Sequence, residues 1–570
     1  MQNLSIAFIN PPHADWSLAN NMTYLQCQSH YEKAGKYKER VNWIKAPYKW
    51  DQYETLEEVY SEVSSADIIL FSSYTWNADL IDQFAHYVKK HSPKTLRVIG
   101  GPHIGTNEPD LLKRRKDLYD YICRPTKPGE VFVEDLINDW FENNSSPRNK
   151  YISWEISSDK KTSFSIEQNY SVYEEHNHYL SETLDYAKNK NIEPFIVLET
   201  TRGCPYKCVY CEWGGGTGTK ILKKSIDIVK RDIKALKKAG FRDAYLTDAN
   251  FGAFKDRDLE IFKYAWESKL NLTDISTVKT PILEKRIDLI NSCFKIIGKN
   301  SNRKLETKNE MDMWGETENV SLVPTVSIQS ISKTAMKISN RVDLNSQDKL
   351  KLSHHINKMC TKEGYTIPAI ELILAMPGST IDDFYEEMNI IWNFQAWSSF
   401  RHDYMFLPDS ELNSPSYLEK YQIETVEVFS DIVDEDGIDN WNSLYRGKKN
   451  HFKTIKSCYS FTHEEMVEMW FMNNASNYLL QNIYPLFTDY LTPPVFAKRC
   501  FNIISNLSEF KIIFDEIYDI YDSSTPPKSI RKLQGQFRVK TIEAFLVKNK
   551  KIIINEIMLK TYRFENEISH

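Results

Sequence analysis

The amino-acid sequence predicts an α/β protein with two domains of alternating strands and helices and a mostly helical C-terminal region. Three observations support this prediction. Short apolar runs alternate with amphipathic helical stretches over most of residues 1–430, which is typical of parallel sheets. A polar, aromatic segment at 146–193 interrupts the alternation, and after residue 430 the pattern becomes largely helical. With 570 residues, the chain is also too long for one compact core.

Residues 1–145 have the strand–helix order of a doubly wound, flavodoxin-like parallel sheet. Pro11 and Pro12 end the first strand, since proline cannot continue a hydrogen-bonded ladder. Strands are predicted at 4–9, 41–45, 67–72, 96–101 and 120–123, and helices at 20–37, 51–64, 78–90 and 130–141. Residues 146–193 are predicted to be a linker that lies across the next domain.

Residues 194–430 contain six further strand–helix units, which predict a partial (β/α)6 barrel with its chemistry at the strand carboxyl ends. The strands are predicted at 195–200, 243–247, 273–279, 323–329, 369–375 and 400–406, and the helices at 224–238, 258–267, 283–297, 346–362 and 380–394. A charged, Asn-rich stretch at 299–319 is predicted to be a surface insertion. Residues 431–570 form the mainly helical C-terminal region.

The composition excludes several classes of protein. The net charge is −6 and no run of Lys and Arg is concentrated along the chain, so nothing favours binding to nucleic acid. No apolar run of membrane-spanning length occurs, and we therefore expect no membrane partner. Nine cysteines without a signal peptide predict a reducing, cytoplasmic location.

Three cysteines carry the clearest chemical signal. Cys204, Cys208 and Cys211 have C-x3-C-x2-C spacing on a Gly/Pro loop after an apolar strand. Three thiolates on one loop can bind a 4Fe–4S cluster and leave the fourth iron open for a ligand. A zinc site would need a fourth ligand, and the nearest other cysteines, Cys123 and Cys293, form no second knuckle. Zinc and a chance cluster of cysteines remain the alternatives.

Unusual residues also collect where the first-domain strands end. In a doubly wound sheet, ligands bind beyond these carboxyl ends, and here the ends carry 10–12, 72–77 and 100–103. Glycines at 100 and 101 would let a bulky ligand approach the backbone, while Tyr74, Trp76 and Asn77 offer flat surface and hydrogen bonds. No G-x-G-x-x-G follows the first strand, which disfavours a dinucleotide site.

These segments resemble a known enzyme family. The cysteine spacing, with Tyr210 before the third cysteine, resembles the radical S-adenosylmethionine (SAM) superfamily. Segments 72–77 and 100–103 resemble the cobalamin-binding domain that precedes the barrel in cobalamin-dependent radical SAM enzymes. The residues that this resemblance implies for cobalamin are Asn10, Pro11, Ser73, Tyr74, Trp76, Asn77, Gly100, Gly101, Pro102, His103 and Glu130.

The resemblance also has departures. Asp-x-His-x-x-Gly, through which other cobalamin proteins offer an axial histidine, is absent, so it implies a cobalamin whose lower face is not ligated by histidine. The Gly-Gly-Glu that often follows the second barrel strand is replaced by Asp248-Ala-Asn250. The alternative for the first domain is a flavodoxin-like fold that serves only packing or recognition.

The resemblance implies further residues around SAM and the substrate. For SAM they are Tyr210, Asp248, Asn250, Ser327, Gln329 and Glu371, with a structural hydrogen-bonding role as the alternative for the polar ones. Glu212 and Trp213 are possible active-site residues, and the glycine run at 214–218 is a flexible passage near the cluster or the corrin rather than a phosphate loop. The family's C-terminal helices cap the barrel, where Tyr404, Cys458, Tyr459 and His463 are unranked candidates.

Together these features imply a cobalamin-dependent radical SAM methyltransferase with three cofactors: a 4Fe–4S cluster, SAM and cobalamin. The implied partners are a small-molecule or peptide substrate and an electron donor such as flavodoxin or ferredoxin. The segment after Arg202 and the loop at 407–415 look most like the branch of tryptophan methyltransferases. The alternatives are a rearrangement or cyclisation without methyl transfer, and a radical SAM protein with a vestigial first domain. We expect the cluster loop, Glu212 and Trp213 to face 74–77 across a shared cavity.

Overall fold

The computed structural model describes most of the chain, with gaps. The described residues are 3–12, 22–47, 49–50, 52–123, 128–143, 170–190, 196–213, 221–273, 275–298, 326–363, 370–394, 399–431, 449–522 and 541–568. None of the helices in these ranges combines the length and the apolar character that a membrane crossing needs. The predicted insertion at 299–319 and the glycine run at 214–218 lie outside the described residues.

The first domain is the predicted doubly wound parallel sheet. Its strands are β1 (Leu4–Ile9), β2 (Val41–Trp43), β3 (Ile68–Ser72), β4 (Leu96–Gly100) and β5 (Tyr121–Ile122). They lie in the order β2-β1-β3-β4-β5, and all four pairings are parallel. Successive side chains point to opposite faces, so Leu4, Ile6 and Phe8 belong to one core while Ala7 and Ile9 belong to another.

Five helices cover the two faces of this sheet. They are α1 (Met22–Ala34), α2 (Leu56–Val63), α3 (Ala78–His91), α4 (Pro109–Leu118) and α5 (Gly129–Glu142), with a short 3-10 turn at Lys38–Arg40. The helix α4 is absent from the sequence prediction because six of its ten residues are charged, which hides its apolar positions Leu111 and Leu118. Pro109 begins it, a position where proline costs no hydrogen bond.

All six predicted strands of the central domain are present. They are β6 (Val197–Leu198), β9 (Asp243–Leu246), β10 (Asn271–Thr273), β11 (Val326–Gln329), β12 (Ile370–Ile373) and β13 (Ser399–His402). They form two parallel sheets of three strands, ordered β10-β9-β6 and β11-β12-β13. Among the described residues no ladder joins β10 to β11, so the partial (β/α)6 barrel stays a prediction.

The third predicted strand is misplaced. It was expected at 273–279 and lies at Asn271–Thr273. The chain leaves the ladder after Thr273 because its next backbone bonds involve Phe251, whose N–H donates to Ser276 at 2.8 Å and whose carbonyl accepts from Val278 at 2.8 Å. This turn brings 276–279 toward the inside of the domain.

Seven helices follow the strands of the central domain. They are α8 (Ile226–Ala239), α9 (Lys255–Glu267), α10 (Leu283–Gly298), α11 (Lys333–Ile338), α12 (Ser346–Glu363), α13 (Ile381–Glu386) and α14 (Met388–Phe394). The single helix predicted at 380–394 is thus divided at Glu387. This buried carboxylate accepts a hydrogen bond from Ser330 Oγ at 3.0 Å. A short antiparallel pair, β7 (Thr201–Arg202) and β8 (Leu222–Lys223), flanks the cysteine loop.

Two segments differ from their predictions. The predicted linker contains helices, and the predicted helical C-terminal region contains a sheet. Part of the predicted linker forms α6 (Val172–Glu175) and α7 (Asn177–Lys190), and Tyr173 is fully buried there. The C-terminal region contains an antiparallel sheet that the sequence analysis missed, with β14 (Met405–Phe406), β15 (Glu424–Asp431) and β16 (Lys449–Ser457) in the order β14-β16-β15. This sheet crosses the predicted boundary at residue 430.

Helices complete the C-terminal region. They are α15 (Pro415–Lys420), α16 (His463–Asn482), α17 (Pro493–Ile504), α18 (Ser508–Ile520) and α19 (Glu543–Ile568), with 3-10 turns at Glu411–Asn413 and Tyr484–Leu486. The helix α16 carries Met466, Trp470 and Phe471 into the main core, so its aromatic and Met-rich stripe is packing surface.

Candidate active site

The three cysteines lie on the loop that leaves β7. All three are partly exposed thiols outside any disulfide. The backbone N–H of Cys211 donates to the Cys208 carbonyl at 3.1 Å, which makes a turn between them. The Asn250 side-chain amide donates to Cys204 Sγ at 3.1 Å. An Arg341 Nη atom lies 4.0 Å from Cys208 Sγ.

The thiols interact with one another. Burial raises the pKa of Cys211 to about 11; the neighbouring Cys208 and Cys204 act in the same direction, and the Trp213 N–H acts against it. In the part of the chain that the structure describes, no three His, Cys, Asp or Glu side chains already surround a common point as a metal site. The donor types nevertheless fit a three-cysteine iron–sulfur cluster: three thiols lie on one short loop, with the Asn250 amide beside Cys204 and Arg341 beside Cys208.

Within the described residues, two buried polar atoms beside the cysteines have no partner in hydrogen-bond geometry. They are the Asn250 side-chain oxygen and the Tyr210 hydroxyl, and the Tyr210 hydroxyl interacts with Cys208. Nearly all buried polar atoms in folded proteins are paired, so such atoms mark a place where a ligand or water is expected. Tyr210 packs edge-on to Tyr404 with the ring centres 6.3 Å apart, which leaves both aromatic residues at this wall of the central domain.

The predicted SAM residues on β11 and β12 meet. Ser327 Oγ donates to the Glu371 carboxylate, and the Ser327 carbonyl accepts from Arg341 at 3.1 Å. Gln329, which ends β11, has a φ of +66°, a left-handed conformation that is strained for a residue with a side chain. Ser327 and Glu371 are therefore hydrogen-bonded neighbours on adjacent strands and Gln329 ends β11, while their contact with SAM stays a prediction.

Asp248 has a different position from the one that the resemblance implied. One carboxylate oxygen accepts from the Thr200 and Thr201 N–H groups at 2.7 and 2.9 Å, and the other accepts from the Thr200 hydroxyl at 2.5 Å. Burial raises the pKa of Asp248 to about 6, which these hydrogen bonds oppose. Because both oxygens are occupied by the strand that leads into the cysteine loop, Asp248 has the contacts of a positioning residue.

A buried cationic group near Cys208 is absent from the predicted site list. Arg286, Arg341 and Lys349 surround Asp343 at 2.8, 3.3 and 3.9 Å. Lys279 is also buried, and burial together with Arg341 and Arg286 lowers its pKa to about 7. Lys279 could have been noticed in the sequence, because it is a charged residue at the end of the predicted apolar strand 273–279.

The first-domain loops are held together by Asn77. Its side-chain amide donates to Asn10 Oδ1, the Pro11 carbonyl and the Ser72 carbonyl at 3.2, 2.9 and 3.2 Å. Its oxygen accepts from the Tyr74 N–H at 2.8 Å. The ends of β1 and β3 are thereby tied together, so Asn77 fixes the loops from within.

The neighbouring loop residues are equally fixed. Tyr74 and Trp76 stack with ring centres 4.5 Å apart and planes 11° apart. The Ser73 hydroxyl donates to the His103 carbonyl at 2.9 Å. Gly101 has a φ of +102°, and an added Cβ would lie 2.4 Å from the Ser73 carbonyl oxygen, so only glycine fits there.

A cavity of about 300 Å³ joins the two domains at these loops. The residues that line it from the first domain include Tyr74, Gly100, Gly101, Pro102 and Glu130, and those from the cysteine segment are Glu199, Arg202 and Glu212. Of the residues expected to face each other there, Tyr74 and Glu212 line the cavity, whereas the three cysteines, Trp76 and Asn77 are not among its lining residues. Trp213 is not among its lining residues, and its side chain is 50% exposed.

Arg202 joins the domains across this cavity. It donates to both Glu130 oxygens at 2.9 Å, to the two Glu199 oxygens at 2.7 and 2.8 Å, and to Gln26 at 3.0 Å. Glu130 therefore lines the cavity but uses its carboxylate on Arg202, which argues against the cobalamin contact predicted for it. Neither Arg202 nor Gln26 was a predicted site residue.

Glu212 forms a second link between the domains. Its carboxylate accepts from the Asp409 N–H at 2.8 Å, and burial together with the Asp409 charge raises its pKa to about 8. Asp409 in turn accepts from the N–H groups of Gly105 and Thr106 at 3.1 and 2.6 Å. Asp409 lies in the loop at 407–415, which was singled out in the sequence without a role.

The remaining predicted residues lie away from the 300 Å³ cavity and the cysteine loop. His103 is buried and lines a different, larger groove rather than the 300 Å³ cavity. Cys458 is buried in the main core, Tyr459 is 47% exposed, and the His463 ring contacts the Tyr518 carbonyl at 3.2 Å. These three have no contact with the cysteine loop in the described contacts.

Comparisons with known proteins agree with this architecture. No protein-family model matches the chain. The cobalamin-dependent radical SAM methyltransferase TokK of Streptomyces tokunonensis is 24% identical over 382 residues, which cover 65% of this chain and 51% of TokK. A 2-(S-pantetheinyl)-carbapenam-3-carboxylate methyltransferase of Streptantibioticus cattleyicolor is 23% identical over 376 residues, with the same coverage. The chain thus aligns with about half the length of these relatives.

A solved structure supports the fold. The radical SAM methyltransferase TsrM of Kitasatospora setae, with cobalamin and a 4Fe–4S cluster bound, has a TM-score of 0.52 and 13% identity, over 92% of this chain and 100% of TsrM. The same enzyme is also solved with tryptophan substrate and a SAM analogue. The resemblance read from the motifs is confirmed: in sequence and in fold, the chain is related to the cobalamin-dependent radical SAM enzymes.

Proposed function

We propose that the chain is a cobalamin-dependent radical SAM methyltransferase that moves a methyl group from SAM, by way of cobalamin, to a carbon of a small molecule, amino acid or peptide in natural-product biosynthesis. The observation that carries this proposal is the shared cavity. Tyr74 and Gly101 line it from the first domain, while Arg202 and Glu212 line it from the cysteine segment. We assign residues 1–145 to cobalamin, 194–430 to the cluster and SAM, and 431–570 to closing the barrel over the substrate.

The first-domain loops have the features that a flat, bulky cofactor needs. Gly100 and Gly101 leave the backbone open to close approach, and the Tyr74–Trp76 stack offers a flat aromatic surface beside them. Asn77 holds these loops in place. Cobalamin, when bound, supplies methyl-transfer chemistry that side chains cannot perform. His103 lines the other, larger cavity, so it would not be among the residues that hold cobalamin here.

The cysteine side has the features of a cluster site. Cys204, Cys208 and Cys211 would hold the cluster, which together with SAM supplies one-electron chemistry. Arg341, 4.0 Å from Cys208 Sγ, would offset the negative charge of the thiolates. Asn250 would orient Cys204 through its side-chain amide, and the unpaired Asn250 Oδ1 is available to a bound ligand. The thiols need a reducing setting, for which we propose the cytoplasm, with flavodoxin or ferredoxin as electron donor.

The substrate class follows the relatives. Because TsrM is solved with tryptophan as its substrate, we propose an aromatic amino acid or a peptide that carries one as the first class to test. The pantetheinyl-carbapenam named for the second relative makes a small β-lactam the next class.

The first experiment is anaerobic reconstitution with iron, sulfide and hydroxocobalamin, followed by a visible spectrum of the desalted protein. Retention of both chromophores supports the proposal, and a protein that retains no cobalamin refutes it. Turnover with SAM labelled in its methyl group then separates methyl transfer from rearrangement, because a rearrangement leaves the product unlabelled.

Variants of the three cysteines test the division between the domains. We expect Cys204→Ala, Cys208→Ala and Cys211→Ala each to abolish SAM-dependent turnover and to keep cobalamin bound. Cys293→Ala is the matched control, because this cysteine is 1% exposed within the core and away from the loop. Loss of cobalamin in the loop variants, or full turnover in them, would contradict the assignment.

A further inference from the structure

A second cavity lies on the other side of the first-domain loops. Its volume is about 960 Å³, against about 300 Å³ for the shared cavity. Consecutive loop residues line opposite cavities: Tyr74 lines the smaller one and Thr75 the larger, and Pro102 lines the smaller one and His103 the larger. The two loops are therefore a partition between two chambers. We call the larger chamber the outer groove.

The outer groove is held open by contacts between the first domain and the C-terminal region. The Asn107 N–H donates to the Pro408 carbonyl at 3.0 Å, beside the Asp409 contacts to the same loop. Lys453 on β16 pairs with Glu108 at 3.4 Å. Because these bonds join its walls, the groove is preformed, and a preformed site binds a ligand without a large ordering cost.

Negative charge predominates in the groove. Its charged lining residues are the carboxylates Asp79, Asp82, Glu108, Asp110 and Glu427 and the cations Arg114, Arg115 and Lys453. Arg115 is paired with Asp82 at 3.1 Å and Lys453 with Glu108. Among the described lining residues, the carboxylates Asp79, Asp110 and Glu427 and the cation Arg114 remain outside these two pairs. The groove therefore attracts a cationic group.

Two polar groups in the wall are prepared for a ligand. His103 is only 5% exposed, and its Nδ1 has no hydrogen-bond partner within the described residues. Burial and the nearby Arg115 lower the pKa of His103 to about 3, so the ring is neutral and does not repel a cation. Asp79 uses one oxygen to accept from the His451 N–H at 3.1 Å. Burial raises the pKa of Asp79, and the nearby His451 and Arg115 act against this rise.

The groove also has apolar lining. Phe406 and Leu407 line it from the segment after β13, Leu418 from α15, and Leu118 from α4. A ligand that uses the whole groove would place an ammonium group toward Asp79 and His103 and an apolar body against these side chains. Tyr74, Gly100, Gly101, Pro102 and Glu130 line the other cavity, and of the residues predicted for cobalamin only His103 lines the outer groove.

We infer that the outer groove is a second ligand site, for a small molecule that carries an ammonium group on an apolar body. The inference rests on the groove itself and not on the proposed methyl transfer. Binding to the groove can therefore be present or absent whether or not the chain proves to be a methyltransferase.

The test measures binding of 1,4-diaminobutane to the full chain by isothermal titration calorimetry, with 1,4-butanediol and succinate as the neutral and anionic probes. We expect the diamine to bind and both controls to bind at least roughly tenfold more weakly, which corresponds to about 1.4 kcal/mol. Equal binding of the diol and the diamine, or no diamine binding, would overturn the inference.

Variants then locate the site. We expect the double variant Asp79→Asn, Glu427→Gln to weaken diamine binding about tenfold, because it removes two of the three lining carboxylates that form no described salt bridge. Asp79→Asn keeps a side-chain oxygen that can accept from the His451 N–H. If the double variant does not fold, the single variant Glu427→Gln is used for the same binding measurement. Glu464→Gln, an exposed carboxylate in the first turn of α16, is the control and should bind as the wild type does. Unchanged affinity in the groove variants would place the diamine elsewhere and refute the site.

Discussion

Removal of the Arg202 side chain should cost a large part of the stability of the domain contact. Arg202 is 22% exposed and its partners Glu130 and Glu199 are 3% and 15% exposed. Burial alone would raise the pKa of Glu199, but Arg202 and then Lys224 hold it below its ordinary value, so this carboxylate stays ionised. Arg202→Met removes the guanidinium from both carboxylates and keeps an apolar stem. Breaking a buried pair from one side costs about 3–5 kcal/mol, and the partial exposure of Arg202 puts our expectation near 3 kcal/mol.

The assay is the free energy of unfolding in urea, followed by tryptophan fluorescence. Arg202→Lys keeps the charge but cannot make the forked contact with Glu130 and Glu199, so we expect an intermediate loss. In the double variant with Glu130→Gln, one of the two carboxylate charges that Arg202→Met leaves without the guanidinium is also removed. The combined loss should therefore be smaller than the sum of the two single losses by about 1–3 kcal/mol.

Two results would refute this reasoning. Stability of Arg202→Met within about 0.5 kcal/mol of the wild type would mean that the network adds nothing to the domain contact. Strict additivity of the Arg202 and Glu130 variants would mean that the two residues act independently, despite the 2.9 Å contacts between them.

Three further predictions concern the loops and their supports. Gly101→Ala should destabilise the first domain by about 1–3 kcal/mol in urea unfolding, because its φ is positive and an added Cβ meets the Ser73 backbone, whereas Gly129→Ala, where nothing lies within 4 Å of the added Cβ, should be nearly neutral. The free energy of unfolding of the wild type should fall as the pH is lowered from about 6.5 toward 3, by up to roughly 1.4 kcal/mol per pH unit from His103 alone, because His103 takes up a proton in the unfolded chain but not when it is buried. His103→Gln should lack this part of the pH dependence, and identical pH profiles of the two proteins would contradict the prediction. Asp248→Asn should lower the iron content after reconstitution if Asp248 positions the cysteine loop, whereas an unchanged iron content with a raised KM for SAM would restore its predicted role as a SAM contact.

The order of the elements could be predicted from the sequence because burial has a clear period in most of them. The strand β3, with five consecutive buried residues, and the amphipathic helix α3 have unambiguous patterns. The strand β16, Lys-Asn-His-Phe-Lys-Thr-Ile-Lys-Ser, was missed because polar residues occupy most of its positions. Its main stabilisation is a long-range antiparallel ladder with β15, which local periodicity cannot reveal.

The site was predictable in part for a similar reason. Cysteine spacing and glycine pairs are local signals, so Cys204 and Gly101 could be assigned from the sequence alone. The partners that decide how polar residues act are distant in sequence: Arg202 meets Glu130 across 72 positions, and Asp409 meets Thr106 across 303. Glu130 and Asp248 were therefore given ligand contacts, although both carboxylates hold backbone or arginine groups of their own protein.

These long-range partners explain why the two halves of the site keep one geometry. Arg202 precedes the first cysteine by two residues and binds the first domain, while Glu212 follows the third cysteine and binds Asp409, which itself binds the loop after Pro102. The cysteine loop is thus fixed at both ends to the domain that we assign to cobalamin. A shift of that domain therefore has to move both ends of the loop together, because Arg202–Glu130 joins one end to it and Glu212–Asp409–Gly105 joins the other.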